Sequence, residues 1–281
     1  MMRIFAENRS RLSLWPGLVL SCVLMLAGFL AAPDAQADEN AWPDIRDSVF
    51  GDREIADAAG VVALETPYRA HDAAVVPIKI TALIPQDAER SITQITLIVD
   101  ENPAPVVGTF RFYPQNGIAS LSTRVRVNAY THIRAIAETS DGKLFMAANY
   151  VKAAGGCSAP AGKDHKLAMS RLGQMRFRQI GEWRAGEPSE AQVMVSHPNY
   201  SGMQTDQLTQ LWIPADYVRT IELSLNGKPV LAFDGDISMS ENPSLRFFLK
   251  PEEGATLTAR VTDTEERSFT ESWTIKLEPG S

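Results

Sequence analysis

Residues 221–233, Ile221-Glu222-Leu223-Ser224-Leu225-Asn226-Gly227-Lys228-Pro229-Val230-Leu231-Ala232-Phe233, decide the fold class. Two apolar runs, 221–225 and 230–233, flank Leu225-Asn226-Gly227-Lys228. Asn226 and Gly227 both tolerate positive φ, which a two-residue hairpin turn demands, so the runs pair as antiparallel strands.

Short strand-like runs with turn residues between them recur on either side. Upstream they occupy 61–64, 75–84, 92–99, 106–113, 120–127, 133–138 and 144–151. Val76, Ile78 and Ile80 alternate with Pro77, Lys79 and Thr81, and Leu121, Thr123, Val125 and Val127 share a face opposite Arg124 and Arg126. The runs 133–138 and 144–151 form a hairpin across Thr139-Ser140-Asp141-Gly142-Lys143. A second series covers 175–180, 190–195, 221–225, 230–233, 245–249, 256–261 and 268–275. This pattern predicts an all-β protein of two antiparallel sandwiches. One short amphipathic helix precedes them over 42–50, with Pro43 in its first turn and Trp42, Ile45, Val49 and Phe50 on one side.

Between the two series the composition shifts to Ala, Gly, Ser, Pro and charge. The expected organisation is a signal segment at 1–37, a first sandwich at 38–152, a flexible linker at 153–166 and a second sandwich at 167–281. Arg3, Arg9 and Arg11 precede an apolar run from Leu12 to about Ala32, and Ala35-Gln36-Ala37 follows it as a small-x-small cleavage site. That order is a secretory signal, and it places the mature protein in the periplasm with no membrane contact after cleavage. Cys22 leaves with the signal. The chain carries a formal net charge of −7. This acidic balance argues against nucleic acid or anionic lipid as partners.

The remaining cysteine, Cys157, lies in Ala153-Ala154-Gly155-Gly156-Cys157-Ser158-Ala159-Pro160. A lone thiol in an oxidising compartment stays free, pairs with another molecule or carries something covalently. Its small neighbours predict an exposed, mobile sulfur on an arm that Gly155, Gly156 and Ser158 keep flexible. With no cation or helix N-terminus evident nearby, its pKa is expected near the ordinary value of about 8.5. Only a few per cent of it is then thiolate at neutral pH, so a partner must activate it.

No Walker A, HExxH, GxSxG, CxxC or CxxCH sequence is present. The missing CxxC argues against a thioredoxin-type oxidoreductase. His71, His132 and His165 are scattered without metal-ligand spacing, so neither a metal nor another cofactor is expected. His197, before Pro198, reads as a structural histidine at a strand end. Trp183, Trp212, Tyr217 and Trp273 read as packing residues, or, where exposed, as a docking face.

Two stretches carry a family resemblance. Val151-Lys152-Ala153-Ala154-Gly155-Gly156-Cys157 resembles the carboxyl-terminal arm of SoxY, the carrier subunit of the sulfur-oxidising Sox system. The second half resembles its partner SoxZ in His197-Pro198 with Gly202, Trp212-Ile213-Pro214-Ala215-Asp216-Tyr217-Val218, Ser240-Glu241-Asn242-Pro243-Ser244 and Thr270-Glu271-Ser272-Trp273. One polypeptide with both halves is most similar to the fused SoxYZ-like proteins associated with quinoprotein dehydrogenases. The resemblance implies two immunoglobulin-like sandwiches in contact and a non-enzymatic carrier with Cys157 as the covalent attachment point. It implies as partners Sox-type periplasmic oxidoreductases, or a quinoprotein dehydrogenase and its cytochrome c. In SoxY a glycine pair follows the cysteine at a free chain end. Here Ser158-Ala159-Pro160 and a whole domain follow, which predicts a shorter reach. The competing expectation is a non-covalent docking or assembly module for the dehydrogenase or its cytochrome.

Overall fold

The computed structural model describes residues 41–86, 89–160, 165–207 and 209–277. The expected secretion signal, with Cys22, lies outside them. Among the described residues no helix is long and apolar enough to cross a membrane.

The expected helix forms as α1 (Trp42–Phe50), with Pro43 in its first turn. It buries Ile45 and Phe50 against Ile98, Ile136 and Leu144. The first strand series comprises β1 (Ile55–Asp57), β2 (Val62–Glu65), β3 (Val76–Ala82), β4 (Ile92–Val99), β5 (Val106–Phe112), β6 (Leu121–Val125), β7 (Thr131–Thr139) and β8 (Leu144–Val151). The second comprises β9 (Met175–Ile180), β10 (Ser189–Val195), β11 (Val218–Leu225), β12 (Lys228–Gly235), β13 (Ser244–Leu249), β14 (Thr256–Asp263) and β15 (Ser268–Thr274), preceded by a one-turn helix α2 (His165–Ser170). Sequence periodicity does not anticipate β1 or α2. β1 has three residues and pairs in parallel with β8, which leaves too few positions to show an alternation.

Side-chain placement follows strand geometry. In β3, Val76, Ile78 and Ile80 are buried while Pro77 and Lys79 face solvent, as a sheet with one covered face requires. In β4 every residue from Ile95 to Val99 is buried. The alternation disappears there because α1 covers the outer face and takes Ile98 into its own small core. At the β11–β12 hairpin both Asn226 and Gly227 have positive φ, and Leu225 faces Lys228.

The strands form two sheets, ordered β1-β8-β7-β4-β5-β12-β11-β14-β15 and β2-β3-β6-β13-β10-β9. Both sheets run from the first half into the second. The sequence reading makes the linker the join between separate sandwiches, but the halves also meet edge to edge, β5 pairing with β12 and β6 with β13. Pairing satisfies edge N–H and C=O groups that would otherwise be open to aggregation. Phe110 and Phe233 are register partners across this seam, and their rings stack with centroids 4.7 Å apart. Gly108 lets the Phe233 ring in, since a Cβ there would come within 2.4 Å of it. The result is two immunoglobulin-like sandwiches whose buried side chains form one continuous core.

Candidate functional site

Cys157 is completely buried, at 0 % exposure. This corrects the expectation of an exposed, mobile thiol. The residues around it are small, as read, but small residues also allow close packing against a backbone. Gly155 N–H donates to Asn128 O (2.8 Å) and Gly156 N–H to Val127 O (2.9 Å). A Cβ on Gly156 would lie 2.1 Å from Ala73 O, so the glycine is needed for close approach. Gly155, at φ +79°, supplies the left-handed turn. Ser158 is exposed, and its hydroxyl approaches Gly155 O at 3.4 Å. Residues 153–160 are therefore folded onto the protein, while 161–164 of the expected linker lie outside the described residues.

The second half completes the seat. The buried Ser201 hydroxyl donates to the Cys157 carbonyl, and Gln204 Nε2 donates to Ala159 O at 2.8 Å. Gln204 also accepts from Ser201 N–H at 3.3 Å, so the two are mutually braced. Sequence reasoning missed both residues. Their one signal is position, beside Gly202 in the stretch that resembles SoxZ.

Arg126 is the larger surprise. Strand alternation puts it on an outward face, yet it is only 2 % exposed, because the loop before β13 covers that face. Its Nη1 donates to Met239 O (2.7 Å), and Asn199 Nδ2 approaches the same carbonyl at 3.4 Å. Its backbone N–H donates to Ser238 O (2.8 Å), and its carbonyl accepts from Asn102 Nδ2 (2.7 Å). Its Nε meets no hydrogen-bond partner among the described residues. Burial pushes the guanidinium below its usual pKa, opposed first by interaction with Cys157 and then with Glu241. Burial in turn pushes the Cys157 thiol above its ordinary value, and Arg126 pulls it the other way. The expectation of an ordinary thiol with no cation nearby is corrected on both counts. The seated sulfur is a protonated, shielded thiol and a poor nucleophile.

His197 is fully buried and braces the loop that carries Ser201. Its Nδ1 accepts from Asn199 N–H at 3.0 Å, and Asn199 Oδ1 accepts from Val218 N–H at 2.9 Å. His197 Nε2 lies 3.5 Å from carboxylate oxygens of both Asp216 and Asp263. Burial lowers its pKa, against the pull of those two carboxylates. The ligand atoms of these three residues lie within 4.8 Å of one another, a spacing that could hold a metal ion. The position already has a cation: Arg267 Nε binds Asp263 at 2.7 Å, and its Nη2 binds Asp216. The structural reading of His197 fits this network.

The aromatic residues divide. Trp183 is buried, with Nε1 donating to Glu190 O at 3.0 Å, and Phe177 stacks on Trp273. Tyr217 is half-buried. Trp212, by contrast, is 70 % exposed beside Leu211 at 68 %. Ile213 N–H donates to Gln204 O, so this apolar tip belongs to the loop that holds the cysteine segment.

Comparison with known proteins agrees with this layout. Residues 46–157 match the family model for sulfur oxidation protein SoxY, a match that ends on Cys157. Residues 177–274 match that for sulphur oxidation protein SoxZ. None of the curated proteins compared matches the chain. Among solved structures, a variant of a superoxide reductase (neelaredoxin) from Ignicoccus hospitalis is similar at 18 % identity and TM-score 0.30, over 34 % of this chain and 82 % of that one. A β-glycosidase from Bacteroides vulgatus is similar at 9 % identity and TM-score 0.24, over 76 % of this chain and 24 % of that one.

Proposed function

We propose that this chain, a SoxYZ-like fusion of a SoxY domain followed by a SoxZ domain, is a periplasmic carrier that holds a sulfur-linked intermediate on Cys157 and presents it to partner enzymes. SoxY and SoxZ domains support a carrier role in sulfur oxidation in general, and carriers of this kind are non-catalytic.

One observation supports the finer reading. The single free cysteine among the described residues sits in a seat built by both halves and held by a handful of neutral hydrogen bonds. A buried structural thiol needs no such seat, because apolar packing alone accommodates it. A neutral hydrogen bond contributes about 1 kcal/mol net. Release of residues 153–160 is therefore within reach of a docking enzyme's binding energy. Seated, the thiol keeps its proton and is shielded from oxidation. Released, it regains ordinary thiol reactivity, and the partner supplies activation. The cargo in this reading is a persulfide, thiosulfonate or related adduct. The partners are Sox-type oxidoreductases or a quinoprotein dehydrogenase with its cytochrome c.

The exposed Trp212–Leu211 tip favours a second reading, a docking or assembly module that needs no thiol chemistry. Replacing Cys157 with serine separates the two. In cells oxidising a reduced sulfur compound or an alcohol, a carrier loses the dependent oxidation with Cys157→Ser and keeps it with Trp212→Ala weakened only in partner affinity. A docking module keeps activity with Cys157→Ser and loses it with Trp212→Ala.

A further inference from the structure

The six-stranded sheet passes from one half of the molecule to the other where β6 pairs with β13, and cations gather on its outward face around that crossing. Residues directly opposite in a sheet project from the same face. Lys79 pairs with Ser122, Ser122 with Arg246, Arg246 with Gln192 and Gln192 with Arg178. Arg124, two residues along from Ser122, lies diagonal to Arg246, and Arg176 lies beside Met194. Two acids answer these five cations: Glu65 binds Lys79 and Glu190 binds Arg246, each at 2.8 Å. Arg124, Arg176 and Arg178 form no salt bridge among the described residues. The face is thus positive on a chain whose net charge is −7.

An open groove of about 560 Å³ lies in this face, lined by both halves. Pro67, Pro77 and Met194 give it apolar walls between Lys79, Arg124 and Arg246, and Glu65 is its one acidic residue among the described residues. The two guanidiniums are only partly used. Arg124 Nη2 donates to Asn242 O and Arg246 Nη2 to Glu190, both at 2.8 Å, while each Nε is buried with no hydrogen-bond partner among the described residues. An unpaired buried donor is unfavourable, and each planar fork has donors to spare for an incoming carboxylate.

We propose that this groove docks an acidic, extended segment of a partner protein, with carboxylates on Arg124 and Arg246 and apolar side chains against Pro67, Pro77 and Met194. Size selects a chain over a small anion. Neighbouring strands lie about 4.8 Å apart, so the cations from β3 to β9 reach across roughly 19 Å. About six extended residues cover that distance, at about 3.3 Å each. The net negative charge of the chain disfavours approach of an acidic partner by other faces, so the groove sets its orientation as well as its rate of encounter. Arg124 belongs to the first half and Arg246 to the second, so the segment binds only where β6 and β13 are paired. The site stands apart from the thiol chemistry and serves a carrier and a docking module alike.

The test uses the whole protein and a fluorescein-labelled octapeptide of alternating glutamate and leucine, followed by fluorescence anisotropy. The expected result is saturable binding that weakens with added salt. Affinity should fall about tenfold or more in the double variant Arg124→Ala with Arg246→Ala, and several-fold in Arg176→Glu with Arg178→Glu. Arg260→Glu, which reverses an exposed cation on the nine-stranded sheet, should leave it unchanged. If the groove variant does not fold, the exposed Arg176 and Arg178 pair still decides. No binding of the glutamate peptide, equal binding of a lysine–leucine octapeptide, or unchanged affinity in the folded variants overturns the proposal. Displacement of the peptide by equimolar succinate overturns it in favour of a small-dicarboxylate site. Cys157→Ser should bind the peptide as the wild type does, so failure of the carrier reading, seen as absence of any adduct on protein isolated from cells, leaves this result untouched.

Discussion

The Ser201 hydroxyl, on the second half of the molecule, donates to the carbonyl of Cys157, which ends the first. This bond makes the state of the cysteine segment a property of both halves. It also opposes the picture of an arm tethered only by covalent chain. Removing it with Ser201→Ala leaves a buried carbonyl unpaired at a cost of about 1–3 kcal/mol. We expect the opening of residues 153–160 to rise roughly 5- to 150-fold, each 1.4 kcal/mol being about tenfold. Alkylation of Cys157 by iodoacetamide under conditions where opening is a rapid pre-equilibrium measures this directly. An unchanged rate would mean that Ser201 does not hold the segment.

Phe233 stacks on Phe110 across the seam that joins the two sheets. Phe233→Ala removes a fully buried ring, for which about 3–5 kcal/mol is the expected loss. The strands of the two halves pair with one another, so urea unfolding should remain a single transition at lower midpoint, by fluorescence and circular dichroism alike. Two separable transitions, with only one moved by the substitution, would show that the halves unfold independently.

Burial raises the Cys157 pKa in the folded protein, which gives a pH dependence of defined sign. The folded state holds the thiol proton at pH values where the unfolded chain, with a thiol pKa of about 8.5, has begun to lose it. The unfolded state therefore binds fewer protons in that range, and stability falls as pH rises. Below about pH 8 the cysteine should make no difference to the pH profile. Above about pH 8.5 the wild type should lose stability faster than Cys157→Ala, with an excess slope of at most about 1.4 kcal/mol per pH unit. Denaturant melts at about pH 7.5 and about pH 9.5, on either side of that thiol pKa, check this, and parallel profiles for the two proteins would contradict it.

Much of the fold could be read from local sequence because strands of this kind declare themselves in short windows. The 92–99, 144–151 and 175–180 runs match β4, β8 and β9 end for end, and Asn226-Gly227 adopts the turn its φ preferences demand. The site is half legible. Cys157 stands out by chemistry alone, and the SoxY-like arm marks it. Its burial could not be read, because Gly155, Gly156 and Ala153 suit a loose tether and a tightly packed turn equally well. Only the positions of Ala73 O and Val127 O decide between them. Arg126 shows the same limit: alternation assigns a face, but whether that face meets water depends on Ser238–Met239, far away along the chain.

The most direct test of the carrier claim is the intact mass of the protein isolated rapidly from periplasm, with and without reductant. Parallel cultures should be grown on thiosulfate and on a simple alcohol. A carrier shows a substrate-dependent, reductant-labile mass increase that maps to Cys157 and is absent from Cys157→Ser. An unmodified thiol under every condition would contradict it and leave the docking surface around Trp212 as the functional part of the molecule.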